Sequence, residues 1–162
     1  MDGAGELFDA IRSGNAERAA ELLDVGPLLV GARSQDGYAP LHLAASFGHV
    51  EIAALLIGRG AEIDVPAVNP MKVTPLHSAV AGRRFEVAKL LVESGAEVDA
   101  RREGGGTPLH SAAQNGDAPL VELLLEHGAD PLAENDEGRS PLDLAKSVEV
   151  VALLEDRAIP GP

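Results

Sequence analysis

The groups in this chain whose types could support chemistry are five histidines, a triple glycine and scattered serines and threonines. Histidine is the usual acid–base group near neutral pH and a common metal ligand. His42, His77 and His110 each stand fourth in a tetrapeptide that recurs more than thirty residues apart, and His49 and His127 fall near expected helix ends. No His-x3-His or His-Glu-x2-His pairing places two imidazoles on one helix face, so zinc geometry is not expected. Gly104-Gly105-Gly106 lacks the Gly-x4-Gly-Lys-Ser/Thr arrangement that cradles a triphosphate, and it precedes a Thr-Pro helix start, so it reads as a turn. Gly58-Arg59-Gly60 has no third glycine at Ile63, and no Gly-x-Ser-x-Gly nucleophile elbow is present. The absence of cysteine removes thiol nucleophiles, disulfides and Cys-ligated metals. No catalytic residue, cofactor or metal ligand is assigned, and a non-enzymatic chain is expected.

Composition narrows the class further. A length of 162 residues suits one domain, and 45% apolar residues suffice for a core. The aromatics are only Phe8, Tyr38, Phe47 and Phe85, so Leu, Ala, Val and Ile must fill it, which favours packed helices. With 26 acids against 13 Lys/Arg the net charge is −13, which argues against nucleic-acid and anionic-membrane partners, since both need a basic footprint. No apolar run approaches a membrane span, and the N-terminus is acidic where an export signal would be basic. An unexported, cytoplasmic monomer is expected.

The elements that position these residues are set by an internal repeat. Ala39-Pro40-Leu41-His42, Thr74-Pro75-Leu76-His77, Thr107-Pro108-Leu109-His110 and Ser140-Pro141-Leu142-Asp143 are spaced by 35, 33 and 33 residues. Fifteen residues after the first three prolines come Leu55-Leu56, Leu90-Leu91 and Leu123-Leu124, each followed by Gly-Ala-Glu or Gly-Ala-Asp. Proline suits the first turn of a helix, where its missing N–H would be unsatisfied anyway, and the Thr or Ser before it suits the N-cap. The second unit predicts a short helix over 40–47 ended by a left-handed Gly48, then a second helix over 50–58 with Ile52, Ala53, Leu55, Leu56 and Ile57 as its buried stripe. Asp36-Gly37 and Glu137-Gly138 predict hairpin-like turns between units.

These units resemble ankyrin repeats. The resemblance implies an all-α solenoid of five stacked helix–turn–helix repeats with hairpin-like loops, spanning approximately 4–33, 34–68, 69–101, 102–134 and 135–157, with a short tail over 158–162 in a single domain. The first and last units read as capping repeats. The last unit has Leu153-Leu154 only twelve residues after Pro141, which is read as a shortened interhelical turn. The third unit carries two extra residues within 65–73, has Lys72 where others have Gly, and has Arg83-Arg84 where the second has Gly48-His49, so an irregular hairpin and an altered turn are expected. The resemblance also implies that His42, His77 and His110 hydrogen-bond within and between hairpins.

By the same resemblance, function resides in a concave face of hairpin tips and first helices that binds a protein partner. Carried over by position, that face comprises Gln35, Asp36, Tyr38, Ser46 and Phe47; Pro70, Met71 and Val73 with Ala81 and Gly82; Glu103, Gln114 and Asn115 with Gly104 and Gly106; and Asp136, Glu137 and Arg139; Arg83 and Arg84 are assigned to it as well. Tyr38, Phe47 and Met71 are the expected central contacts. Counted along the chain, the five units carry −3, −3, +1, −5 and −3, so Lys72, Arg83, Arg84 and Lys89 form a basic island in a stack whose concave face is expected to be mostly acidic. Alternative readings are a regulatory inhibitor or neutralising subunit of a basic enzyme or toxin, and a small-ligand binder or enzyme using a pocket between hairpins.

Overall fold

A computed structural model describes residues 2–159. Among them are ten α-helices and one 3-10 helix, without a strand. The helices are α1 (Gly3–Arg12), α2 (Ala16–Val25), α3 (Pro40–Phe47), α4 (Val50–Gly58), α5 (Pro75–Ala81), α6 (Phe85–Glu93), α7 (Pro108–Asn115), α8 (Ala118–Glu126), α9 (Pro141–Leu144) and α10 (Val148–Ala158). Helices this short do not hold in isolation, because nucleation costs more than a few intrahelical bonds return. Packing holds them. The odd-numbered helices touch one another in sequence from α1 to α9, the even-numbered ones from α2 to α10, and each pairs with its own partner, giving two layers of five helices.

One continuous core runs between the layers. Leu41, Leu76 and Leu109 recur from the first helices, and Leu23, Leu56, Leu91 and Leu124 from the second, all essentially without exposed surface. Ala44, Ala45, Ala79, Ala112 and Ala113 are fully buried, and their small side chains let successive first helices approach closely. The Pro-to-Gly reading of the second unit matches α3 and α4 at both ends, with Gly48 left-handed at φ 79°.

The hairpin loops stack through backbone bonds. Val68 N donates to the Gly37 carbonyl at 2.8 Å, Glu103 N to that of Met71 at 2.9 Å, and Asp136 N to that of Gly104 at 3.0 Å. Behind them the three histidines link each unit to the next. Nδ1 of His42, His77 and His110 accepts the N–H of Ala39, Thr74 and Thr107, which fixes the proton on Nε2. Nε2 then donates to the carbonyls of Val73, Gly106 and Arg139 at 2.9, 3.1 and 2.9 Å. Asp143 holds this position in the last unit. Its carboxylate accepts from the Ser140 backbone at 2.7 Å and from the Ser140 hydroxyl, keeping the capping role without the reach to a further unit. Thr74 and Ser140 cap their helices as expected, and the hydroxyls of both Thr74 and Thr107 meet the Nδ1 of the histidine three residues on, at 2.9 Å.

Several expectations are corrected. In the last unit the turn is not what is short: the first helix α9 has four residues where α3 has eight, and three residues still separate it from α10. Helix α10 reaches Ala158, so the expected tail contracts, and its residues 160–162 lie outside the described residues. An unforeseen 3-10 helix, Pro27–Gly31, follows α2 and packs Leu29 beside Gly3 and Gly26 of the first unit.

In the third hairpin Ala67 N bonds to the Val73 carbonyl where the second has Ser34 to Tyr38, so the two extra residues lie inside that span. The interhelical turn of this unit keeps the usual shape, with Arg83 at φ 56° in the place of Gly48 and Gly116. Lys72, at φ 50°, likewise adopts the left-handed conformation that Gly37, Gly105 and Gly138 supply elsewhere. A side chain there is strained, so Lys72→Gly is expected to stabilise the fold by about 0.5–1 kcal/mol, the relief exceeding the added chain entropy. Urea unfolding at pH 7 checks this; a lowered midpoint contradicts it.

Candidate functional site

The junction of the second and third units forms an open groove of about 410 Å³ on the face made by hairpins and first helices. Tyr38 and Met71 come from the hairpins, while Leu43, Ser46 and Phe47 of α3 face Ser78 and Ala81 of α5. Phe47 is 45% exposed and stacked on His49, with ring centroids 6.0 Å apart. Met71 is 46% exposed. Tyr38 is half-buried and meets His42 edge-on at 5.6 Å, so it belongs partly to the wall and partly to the core. Tyr38, Leu43, Phe47, Met71, Val73 and Ala81 give the groove its apolar surface, and serines, His42, His77, Asp36 and Arg12 complete the lining.

His42 and His77 also line the groove and their environment keeps them neutral. Burial lowers both imidazoles below the ordinary histidine range, His77 to about 4. Their bonds to the next unit's carbonyls oppose this only in part, and Arg33 and Arg102 respectively push them further down. Burial likewise lowers His110. A neutral imidazole with both nitrogens bonded to backbone is a positioning group, with no lone pair left for a metal or a proton transfer.

Of the residues assigned from sequence, the groove brings together Asp36, Tyr38, Ser46, Phe47, Met71, Val73 and Ala81. The others lie outside it. Gln35 and Pro70 are exposed in their hairpins; Glu103 pairs with Lys72 at 3.5 Å; Gln114 is exposed and Asn115 half-buried at the end of α7. Asp136 and Glu137 are exposed in the last hairpin, where Arg139 pairs with Glu137. Gly106 is buried and is no part of the surface.

Arg83 and Arg84, expected as surface charges, are both exposed and also reach neighbouring units: Arg83 Nη2 donates to the Asn115 carbonyl at 2.7 Å and Arg84 Nε to that of Ser46 at 3.0 Å. A guanidinium suits these sites because the last carbonyls of a helix carry partial negative charge. The sequence reading missed Arg12, Ser34, Leu43 and Ser78. Aligning Gly14 with Gly48 places Arg12 opposite Ser46, and aligning Pro40 with Pro75 places Leu43 opposite Ser78, so the repeat phase carried this signal.

The expected acidic concave face is also corrected, because charge divides between the layers. The second helices with the turns after them (16–26, 50–64, 85–99, 118–130 and 148–159) hold 16 acids and 4 bases. The first helices, the interhelical turns and the hairpins hold 10 acids and 9 bases, so that face is nearly neutral. Glutamate in the first turn of α2, α4, α6 and α10 and further acids along the second helices account for the excess behind.

Residues 7–102 match the family model for ankyrin repeats (3 copies), and residues 91–145 match that for ankyrin repeats (many copies). The chain belongs to the ankyrin-repeat family. Ankyrin repeats generally mediate protein–protein interaction, and the family is typically non-enzymatic. Among curated proteins, this ankyrin stack is 39% identical over 61 residues to the putative ankyrin repeat protein FPV240 of Fowlpox virus, covering 38% of the chain and 15% of that protein. It is 40% identical over 60 residues to the probable E3 ubiquitin-protein ligase XBOS33 of Oryza sativa subsp. japonica, covering 36% of the chain and 12% of that protein. The matched stretch thus spans less than a fifth of either relative. No helix among the described residues is long and apolar enough to cross a membrane.

Proposed function

We propose that this ankyrin stack is a cytoplasmic, monomeric, non-enzymatic interaction module, a single domain of five units that binds one protein partner through its hairpin and first-helix face. The groove between the second and third units is the observation that carries the reading. It groups half-exposed Phe47 and Met71 beside Tyr38, and interface energy concentrates in aromatic and adaptable anchors set in such pockets. Stacked units order this surface before binding, so little conformational entropy is lost on docking.

Because Tyr38 contacts the core, Phe47 and Met71 are the residues to truncate. Phe47→Ala with Met71→Ala is expected to leave the circular dichroism spectrum and the melting temperature within a few degrees of the parent. The same pair should cost about 2 kcal/mol or more of binding, roughly thirtyfold in affinity. Affinity capture from the native lysate, with bound proteins quantified by mass spectrometry, checks this: a partner captured equally by parent and variant places docking elsewhere.

A further inference from the structure

Resting on the reading of this face as the docking surface, we infer that the groove between the second and third units receives a bulky apolar side chain from a partner segment whose flanking residues are acidic. Net charge points the other way, since a chain of −13 would ordinarily be matched with a basic partner. The layering of the charge reverses that expectation. In the first helices, interhelical turns and hairpins of the three middle units (31–49, 65–84 and 100–117) stand six bases, Arg33, Lys72, Arg83, Arg84, Arg101 and Arg102, against three acids, Asp36, Glu103 and Asp117.

Five of these six cations are bonded to backbone carbonyls. Arg83 and Arg84 hold the Asn115 and Ser46 carbonyls, and Arg33 that of Pro66 at 3.4 Å. Arg101 holds the Glu134 carbonyl at 2.8 Å, and Arg102 that of Glu103 at 3.3 Å. Only Lys72 meets a carboxylate, that of Glu103 at 3.5 Å. A carbonyl dipole satisfies a donor but does not cancel its charge, so the guanidinium groups are fixed in place while their positive field remains.

That field flanks the groove on the side of the third unit. Arg84 grips the carbonyl of lining residue Ser46, Arg83 lies two residues beyond lining Ala81, and Lys72 stands between lining Met71 and Val73, whereas the charges that line it from the other side, Arg12 and Asp36, offset each other, Arg12 being paired with Asp9 at 3.0 Å. The acids of the second-helix layer lie a helix packing distance behind, about 8–10 Å. That is about one Debye length at physiological salt, so the nearer bases dominate at contact. An apolar anchor enters the groove, and carboxylates next to it meet this rim.

The test is selection of a random dodecapeptide display library on the full chain at about 0.15 M salt. Enriched peptides are expected to be net negative around a Leu, Ile, Phe or Met, and to be lost on the Phe47→Ala, Met71→Ala variant. Lys72→Gly and Arg83→Gly each put glycine where other units have it, and each should weaken a selected peptide about threefold. Lys72→Gly does so while the melting temperature holds or rises, which separates lost charge from lost fold. Neutral or basic peptides that still require Phe47 and Met71 would overturn the acidic class and leave the docking face standing. Peptides indifferent to both residues would overturn the face and the inference together, and acidic peptides insensitive to Lys72→Gly and Arg83→Gly would overturn the role of the rim.

Discussion

Gly37→Ala is expected to destabilise the protein by about 3 kcal/mol, whereas the same change at Gly138 costs about 1 kcal/mol. Both glycines occupy the corresponding hairpin position and are left-handed, at φ 82° and 72°. The conformational penalty for a Cβ is therefore common to both. What differs is the neighbour: a Cβ on Gly37 would lie 2.1 Å from the Val68 carbonyl oxygen, while one on Gly138 meets nothing within 4 Å. Backbone cannot swing aside as a long side chain can, so the second and third hairpins must separate. The Val68 N bond to Gly37 and the Asn69 side-chain bond to the Asp36 carbonyl are strained with them. Urea unfolding of the two variants measures the difference, and amide exchange at Val68 locates it. Equal losses at the two glycines would mean that hairpin stacking contributes little to holding the units together.

Much of the fold was legible because the repeat marks its own helix ends. Proline at the first helical position and glycine at the left-handed stop set α3 and α4 to the residue, and the phase carries this to α5 through α8. Where those marks are missing, spacing measures only a total length. Pro141 to Leu153 is three residues short, and it is the helix that gave way while the turn did not. The 3-10 helix over Pro27–Gly31 has no counterpart in other units, so no phase could reveal it.

The groove was partly legible for the same reason. Tyr38, Phe47 and Met71 follow from repeat position, while Arg12 lay hidden in a unit without the Pro motif. The charge of the face was misjudged because acids were counted unit by unit. Each unit contributes to both layers, so that sum averages a nearly neutral front with an acidic back. Arg83 and Arg84 were legible only in part: a sequence displays their charge but not the two helix-end carbonyls that hold them.

Acid is expected to unfold the stack through its buried histidines before its carboxylates titrate. His77 has an ordinary value of 6.5 when exposed in the unfolded chain and about 4 in the fold. The folded state therefore binds fewer protons between those values, and stability must fall as pH drops through that window. The contribution of neutral His77 is fully present above pH 6.5 and lost as pH falls toward about 4. For this residue alone the loss is about 2 kcal/mol by pH 5 and about 3 kcal/mol below pH 4. His42 and His110 are lowered in the same direction and add to it.

The structural cause is specific. A proton on Nδ1 removes the acceptor for the Thr74 N–H and turns the Thr74 hydroxyl from donor to acceptor, and Arg102 and His42 face the new charge from neighbouring elements. The link from His77 to the Gly106 carbonyl joins the third unit to the fourth, so acid acts on the middle of the stack. Urea midpoints at pH 7, 6, 5 and 4 should fall steeply from 6 to 4 and change little with added salt, since burial is the main cause. His77→Gln can still accept from Thr74 and donate toward Gly106 but cannot be protonated, so it should lower stability at pH 7 and flatten the fall below pH 6. A parent profile flat from pH 7 to 5, or an equally steep one in His77→Gln, would show that these imidazoles are not the groups that take up the protons.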